Sequence, residues 1–273
     1  DKNLYLLQDV LENSDTHSCF LEELNLSCNP IGPHGGMSLA AAMERNTSIR
    51  HLFLANCEFN LRAVISIAVA LSLHKYIQTL ILDRPLLSTL EDEGSNHIAR
   101  MLARQPSLLS LSLRFHQIGD NATRLLSQSL FQNETLTSLN LEGNKICVGG
   151  ANALARNLIT DMRLRELKLS SNILGDEGAR AIAEALKTNT SLHRLTLKHN
   201  NIKVSGLNSL CTALDSNNTL QYITLWGNNF THESGGMYYD LCRLRCPYTG
   251  LLIDIEVYIV DEVYMVAEKD IGY

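Results

Sequence analysis

The stretch Cys242-Arg-Leu-Arg-Cys246 is the place where residue type and spacing come nearest to chemistry. Four residues apart on a helix, its two thiols lie on one face and could begin a metal site, but no second pair of ligands stands nearby in sequence. Packing is the plainer reading. Cys211 and Cys242 replace apolar residues of other helices, and seven cysteines at scattered spacings do not make a disulfide framework. Nine histidines form no HExxH pair and no nucleophile-base arrangement, and Gly149-Gly150 is not a dinucleotide fingerprint. No phosphate loop, zinc-ligand set or calcium loop is spelled out, so no enzyme and no cofactor is expected. A formal charge of −6 without a long basic run disfavours nucleic acid as the main ligand. Nothing resembles a membrane span or a signal peptide, and no small-molecule substrate is evident.

The remaining candidates could bind a protein. Lys168, Arg194, Lys198 and His199 make a basic patch beside Glu142 and Glu166, which reads either as a mixed solvated surface or as a site for an acidic segment. Phe53 and Ile81 place apolar side chains where water-facing ones are expected. Tyr222 and Trp226 are of the type enriched at interface hot spots, with contact to the chain's own C-terminal segment as the alternative.

These residues are positioned by a repeat. The pattern LxxLxLxxNxI begins at Leu21, Ile49, Ile77, Leu108, Leu136, Leu164, Leu192 and Leu220, in steps of 28 residues except one of 31. The first half of each copy alternates as a short strand with one buried face, as in Leu136, Leu139 and Leu141. The second half has helical spacing, as in Ala151, Leu154, Ala155 and Leu158. Neither half can bury its apolar face alone, so the copies must stack. Gly35, Gly150, Gly178 and Gly206 precede the helices, where the missing β-carbon permits an unusual turn or a close backbone approach. Asn29, Asn144, Asn172, Asn200 and Asn228 end the strands, and their amides are expected to form a ladder holding successive copies in register. Cys57, Pro85 and His116 replace this asparagine in the second to fourth copies. Pro85 lacks a donor, so the turn after Leu82 is expected to differ from its neighbours. The same copy holds the three extra residues and the acidic EDEG at 91 to 94, an irregularity that marks either a local site or drift in a tolerant loop.

A 28-residue unit with N-x-I/L-x-x-x-G after the strand and A-L-x-x-N-T-S-L at the helix end resembles the ribonuclease-inhibitor class of leucine-rich repeats. That resemblance implies an α/β fold, a curved solenoid or horseshoe with a parallel concave sheet and outer helices. A closer resemblance, to a vertebrate leucine-rich repeat-containing family, is carried by LILDRPLL at 80 to 87, YITLWGNNF at 222 to 230 and DIEVYIVDEVYMVAE at 254 to 268. It brings no established chemistry with it.

Three parts follow. Residues 1–18, with Leu4, Leu7 and Leu11, read as the helical half of a truncated repeat; 19–246 hold eight repeats; 247–273 form a cap in which VYIVDEVYMV makes two strands around Asp261-Glu262. The cap either seals the solenoid end or offers an edge for an added strand. Eight strands at the usual spacing make a sheet about 35 to 40 Å along its inner edge, large enough for a protein domain or a long helix. Phe53, Ile81, Arg114, Lys168, Arg194, Lys198, Tyr222 and Trp226 fall on its outward lanes.

The expected function is a non-enzymatic scaffold whose concave face and C-terminal end hold a protein partner within a larger intracellular assembly. The compartment is cytoplasmic, with a ciliary axoneme suggested by analogy to other proteins of this repeat class and the nucleus left open. Seven N-x-S/T sequons follow from the repeat consensus and do not argue for secretion. Two alternatives share the architecture: a Ran-type GTPase-activating protein, whose acidic tail is absent here, and the sensing region of a nucleotide-binding receptor.

Overall fold

Each strand is three residues long because each contributes one side chain inward and two outward. In the computed structural model, which describes residues 21–87, 92–160 and 163–272, the inward residue is a leucine or isoleucine throughout, from Leu24 to Ile223. The expected helix over residues 1–18 and the first residue of the EDEG segment lie outside the described residues.

The chain divides into two compact units. In the first, which runs to Ile118 and includes Leu125–Leu139, strands β1 (Glu23–Asn25), β2 (His51–Phe53), β3 (Thr79–Ile81) and β4 (Ser110–Ser112) form a parallel sheet in that order. Their partners lie 28 residues apart (Phe53 against Ile81) until Thr79 meets Ser110, where three extra residues intervene without shifting the register. Helices α1 (Gly32–Arg45), α2 (Leu61–Leu71) and α3 (Asp92–Arg104) return the chain between strands. Helix α4 (Asp120–Gln132) and strand β5 (Ser138–Asn140) fall at the boundary of the units.

The second unit repeats the arrangement. Strands β6 (Glu166–Lys168), β7 (Arg194–Thr196) and β8 (Tyr222–Thr224) are parallel, and helices α5 (Val148–Thr160), α6 (Gly175–Leu186), α7 (Val204–Ser216) and α8 (His232–Asp240) alternate with them. Both units have the α/β leucine-rich repeat fold, strand and outer helix in alternation. Helix faces such as Ala179, Ile182, Ala183 and Leu186 are fully buried, so propensity and burial agree along the whole repeat.

Each strand ends in the same turn. Cys28, Asn56, Arg84, Phe115, Gly143, Ser171, His199 and Gly227 occupy equivalent places, all with φ between 52° and 79°. Only two of them are glycine. A left-handed non-glycine residue costs about 1 to 2 kcal/mol, so the fold must hold these turns by other bonds. Arg84, before Pro85, keeps φ 55°, but Leu86 lacks the left-handed backbone that Glu58 (φ 58°) and Gln117 (φ 61°) adopt in the adjoining copies, so the turn differs from its neighbours as the proline suggests.

After α8 the helix widens. Leu241–Arg245 is a π-turn, closed by the Cys246 N–H donating to the Leu241 carbonyl, and is followed by α9 (Cys246–Thr249). Pro247 has no N–H to continue the ladder, which accounts for the change of winding. Leu252–Ile253 then forms β9, pairing parallel to β8 as one more repeat strand. The hairpin of β10 (Ile255–Val260) and β11 (Val263–Glu268) turns at Asp261-Glu262, both left-handed at φ 49° and 66°, as a tight two-residue hairpin turn requires.

Candidate protein-binding surfaces

The side chains after the strands brace the scaffold. Asn172 Nδ2 donates to Leu169 O of its own turn at 2.9 Å and to Leu141 O of the preceding copy at 3.0 Å. Asn200 joins Leu197 and Leu169 in the same way, and Asn228 joins Leu225 and Leu197. Asn144 binds Leu141 O at 2.9 Å. Among the described residues Asn29 reaches its own turn, and it is exposed. The replacements work alike: Cys57 Sγ donates to Leu26 O at 3.2 Å, and His116 Nε2 meets Leu82 O. Burial raises the Cys57 thiol to about 11, while full burial lowers His116 to about 4, so the histidine is a neutral donor at physiological pH.

A second ladder at the helix ends is not legible as such in the sequence. The Asn133 amide donates to Leu102 O and Gln105 O while its oxygen accepts from Thr135 and Leu136 N–H. Asn189 and Asn217 repeat these roles, Gln105 bridges to Leu71 and His74, and Asn46 accepts from Ser48 and Ile49. The signal is the asparagine that recurs before x-S/T-L/I at the helix ends. Asn46, Asn133, Asn189 and Asn217 are sequon asparagines, yet all four are buried and hydrogen-bonded. Asp120 supplies a third brace, accepting from Cys147, Gly149 and Gly150 N–H, and Asp176 accepts from Lys203 and Gly206. A β-carbon on Gly150 or Gly206 would lie 2.6 Å from an isoleucine side chain, so close backbone approach is the reason for those glycines.

The outward lanes differ along the chain. In the first unit Phe53 and Ile81 are register partners, both half-exposed. In the turns after β3 and β4 the Arg84 and Arg114 guanidiniums lie 4.3 and 5.5 Å from the Phe115 ring centroid. Asp83 accepts from the Ser112 hydroxyl and the Arg114 N–H, fixing that turn.

In the second unit the basic residues are matched by acids. Glu166 lies 3.4 Å from both Lys168 Nζ and Arg194 Nη1. Lys198 Nζ sits 3.2 Å from buried Asp254 and 2.8 Å from Glu268, partners contributed by the chain's C-terminal segment. Asp254 also accepts from Leu225 and Trp226 N–H. Residues Lys269 to Gly272 lie beside Tyr222, which is only 7% exposed, with Arg194 5.5 Å from its ring centroid. Trp226 is half-buried and lines a hollow with Tyr264 and Met265 of β11. The two aromatics therefore meet the cap, the alternative their positions allowed.

The hairpin rests on α8. Tyr264 N–H donates to His232 Nδ1 at 2.9 Å, the rings stack at 5.2 Å, and Gly235 and Gly236 leave room for Tyr264. Tyr258, Ile259, Val260, Val263 and Met265 remain exposed. Among the described residues no three or more His, Cys, Asp or Glu side chains gather as a metal set, and no helix is long and apolar enough to cross a membrane.

The family model described as Leucine Rich repeat matches residues 17–40, 132–155, 162–183 and 188–211. The long gap from 41 to 131 is where Cys57, Pro85 and His116 stand in the asparagine position. No curated protein matches the chain. Among solved structures, the C-terminal domain of tropomodulin from Caenorhabditis elegans is 16% identical with a TM-score of 0.44, covering 57% of this chain and 92% of that one. The actin-binding site 2 of leiomodin-1 is 20% identical with a TM-score of 0.25, covering 76% of this chain and 87% of that one. Likenesses at these scores say nothing of this chain's partner.

Proposed function

We propose that this leucine-rich repeat protein is a non-enzymatic scaffold that holds a protein partner through the strand face of its first unit and through its C-terminal hairpin. The observation that carries this reading is the Phe53–Ile81 pair, apolar and outward on adjoining strands of the unit whose following turns hold the Arg84–Phe115–Arg114 cluster. Apolar centres with aromatic and arginine neighbours are the composition of interface hot spots. Lys168, Arg194 and Lys198, matched by their own acids, belong to the mixed solvated surface rather than to a docking site for acidic segments. Tyr222 acts through the cap.

The compartment we propose is intracellular, within a larger assembly. Buried sequon asparagines and the six free cysteines among the described residues support it. Kinship with leucine-rich repeat-containing protein thirty-four is the finer family reading, supported by LILDRPLL, YITLWGNNF and DIEVYIVDEVYMVAE, which repeat consensus does not dictate. A ciliary axoneme is the finer location, by analogy within the repeat class, and immunofluorescence against an axonemal marker tests it.

Native-extract capture tests the binding reading. The intact chain is expected to retain partners that Phe53→Ser/Ile81→Ser or Ile259→Lys/Val263→Lys loses, with circular dichroism unchanged. Partner lists identical across all three proteins would refute it. Added to Ran, the chain is expected to leave GTP hydrolysis unaccelerated; acceleration would restore the enzyme reading.

A further inference from the structure

The two outer edges of the β10–β11 hairpin have different surroundings. Lys269 N–H donates to Asp254 O at 2.9 Å, which marks that pair as a bonded rung of the antiparallel ladder. Bonded and open rungs alternate, so Glu256–Ala267, Tyr258–Met265 and Val260–Val263 bond each other, while Val257–Val266 and Ile259–Tyr264 turn their N–H and C=O groups outward. On β11 the outward edge is occupied. The Tyr264 N–H donates to His232 Nδ1, and Val263 to Val266 line a hollow with Trp226 and Phe230 of the last repeat. On β10 no hydrogen bond among the described residues engages the outward groups of Val257 and Ile259.

Free edges are commonly guarded by lysine, proline, a bulge or a covering element. Strand β10 reads IEVYIV, without lysine or proline, and keeps an unbroken register with β11. One face of the hairpin carries Tyr258 and Val260 opposite Met265 and Val263, all four between 43% and 48% exposed. An unguarded edge beside an apolar face is a template for another strand.

The charge around β10 selects what can pair there. Residues 254–273 hold six acids against Lys269 alone. Asp254 and Glu268 hold Lys198, which leaves Glu256, Asp261 and Glu262 exposed near the two ends of β10. A second copy of the chain fits this pattern poorly: two β10 strands paired antiparallel about Tyr258 would crowd Glu256 of one against Asp261 of the other at both ends.

We propose that the outer edge of β10 takes an extended segment of a partner protein as a third strand, with lysine or arginine at both ends of the segment and β-branched or aromatic residues between. This rests on the reading of the hairpin as a contact surface and specifies its partner. The segment's backbone pairs with Val257 and Ile259, its centre extends the Tyr258–Val260 face, and its basic ends meet Glu256 and the Asp261-Glu262 turn. The exposed carboxylates make the ionic part sensitive to salt, whereas the backbone pairing is not.

The test pans the full chain against a phage-displayed library of eight-residue peptides, then titrates the enriched peptides as synthetic probes. Enriched peptides are expected to carry lysine or arginine flanking an apolar centre. Binding is expected to slow amide hydrogen exchange at Val257 and Ile259, since Tyr258 and Val260 are already bonded within the hairpin. Ile259→Pro removes an outward donor and leaves the bonds to β11, so it should weaken binding at least about tenfold. Glu256→Lys/Glu262→Lys should weaken it by at least about tenfold at low salt and less at high salt. An unchanged NMR signal for the Tyr264 amide shows that the hairpin is intact in each variant. No enrichment, acidic peptides, equal affinity for Ile259→Pro, or unchanged exchange at Val257 and Ile259 would each overturn the proposal. A concentration-dependent dimer that Ile259→Pro dissociates would overturn it in favour of a second copy. Native partners lost by Ile259→Lys/Val263→Lys but retained by Ile259→Pro would sink strand addition alone; partners lost by neither would remove the hairpin from the binding account as well.

Discussion

The ladder of the second unit is made by one residue type, whereas the first unit reaches the same bonds with two others, cysteine and histidine, and has no donor at Pro85. Asn172, Asn200 and Asn228 each tie their own turn to the preceding copy, and Cys57 and His116 deliver the same cross-copy donor from different chemistry. What the repeat requires is a donor aimed at the strand-end carbonyl of its neighbour, beside a left-handed residue that would otherwise be strained. Asparagine meets that need most fully because its amide has two donors and an acceptor. Cysteine gives one weak donor and histidine a titratable one, so the first unit should be the more fragile and the more sensitive to conditions.

The largest effect should come from the regular side of this contrast. Asn200 is fully buried and its amide serves Leu169, Leu197 and Lys198 carbonyls. Asn200→Ala leaves these groups unpaired and should cost about 3 kcal/mol in a urea titration. Asn29→Ala, exposed and, among the described residues, bonded within its own turn, should cost less than about 1 kcal/mol. Equal losses would show that the cross-copy bond adds nothing.

The irregular side should show itself by pH. His116 is lowered from 6.5 to about 4 by burial, so the folded chain binds its proton less readily than the unfolded chain does. Its contribution is complete above pH 6.5 and is lost as pH falls from there towards 4. The loss is on the order of 3 kcal/mol, at 1.36 kcal/mol per pH unit. His116→Asn should keep the donor and remove that part of the acid sensitivity. A variant as acid-labile as the parent would place the effect elsewhere.

Much of this scaffold is written plainly in the chain. Leu136, Leu139 and Leu141 announce the strand, Ala151 to Leu158 the helix, and VYIVDEVYMV the hairpin, because periodicity reports directly which side chains are buried. The left-handed turns are not legible, since Cys28, Arg84 and Phe115 are residue types that rarely adopt that conformation. The second ladder was hidden because N-T-S-L reads equally well as consensus or as sequon; only burial of the amide distinguishes them. The covering of Tyr222 is legible only as one of two alternatives, because it depends on β9, where Leu252, Ile253 and Asp254 imitate a repeat strand without its spacing. The outward placement of Phe53 and Ile81 is therefore legible, and the strand face is least legible where distant segments of the chain fold onto it.

Two smaller effects sharpen the comparison further. Asp120→Ala removes one acceptor from three N–H groups at the start of α5 and should cost about 1 to 2 kcal/mol, read as a lower urea midpoint. Ser171→Gly relieves a left-handed residue at φ 58° while its neighbour Asn172 keeps its bonds, and should raise stability by about 0.5 to 1 kcal/mol. A destabilised glycine variant would mean that the turn is not strained.

The most direct test of the binding account sets the strand face against the helix face. The partner captured by the intact chain is titrated against Phe53→Ser/Ile81→Ser and against Leu73→Ser/Phe131→Ser, the latter pair being exposed on the helical side. The account predicts at least about tenfold weaker binding, or 1.4 kcal/mol, for the strand-face variant and unchanged binding for the helix-face variant. Full affinity with the strand face altered and loss with the helix face altered would contradict it.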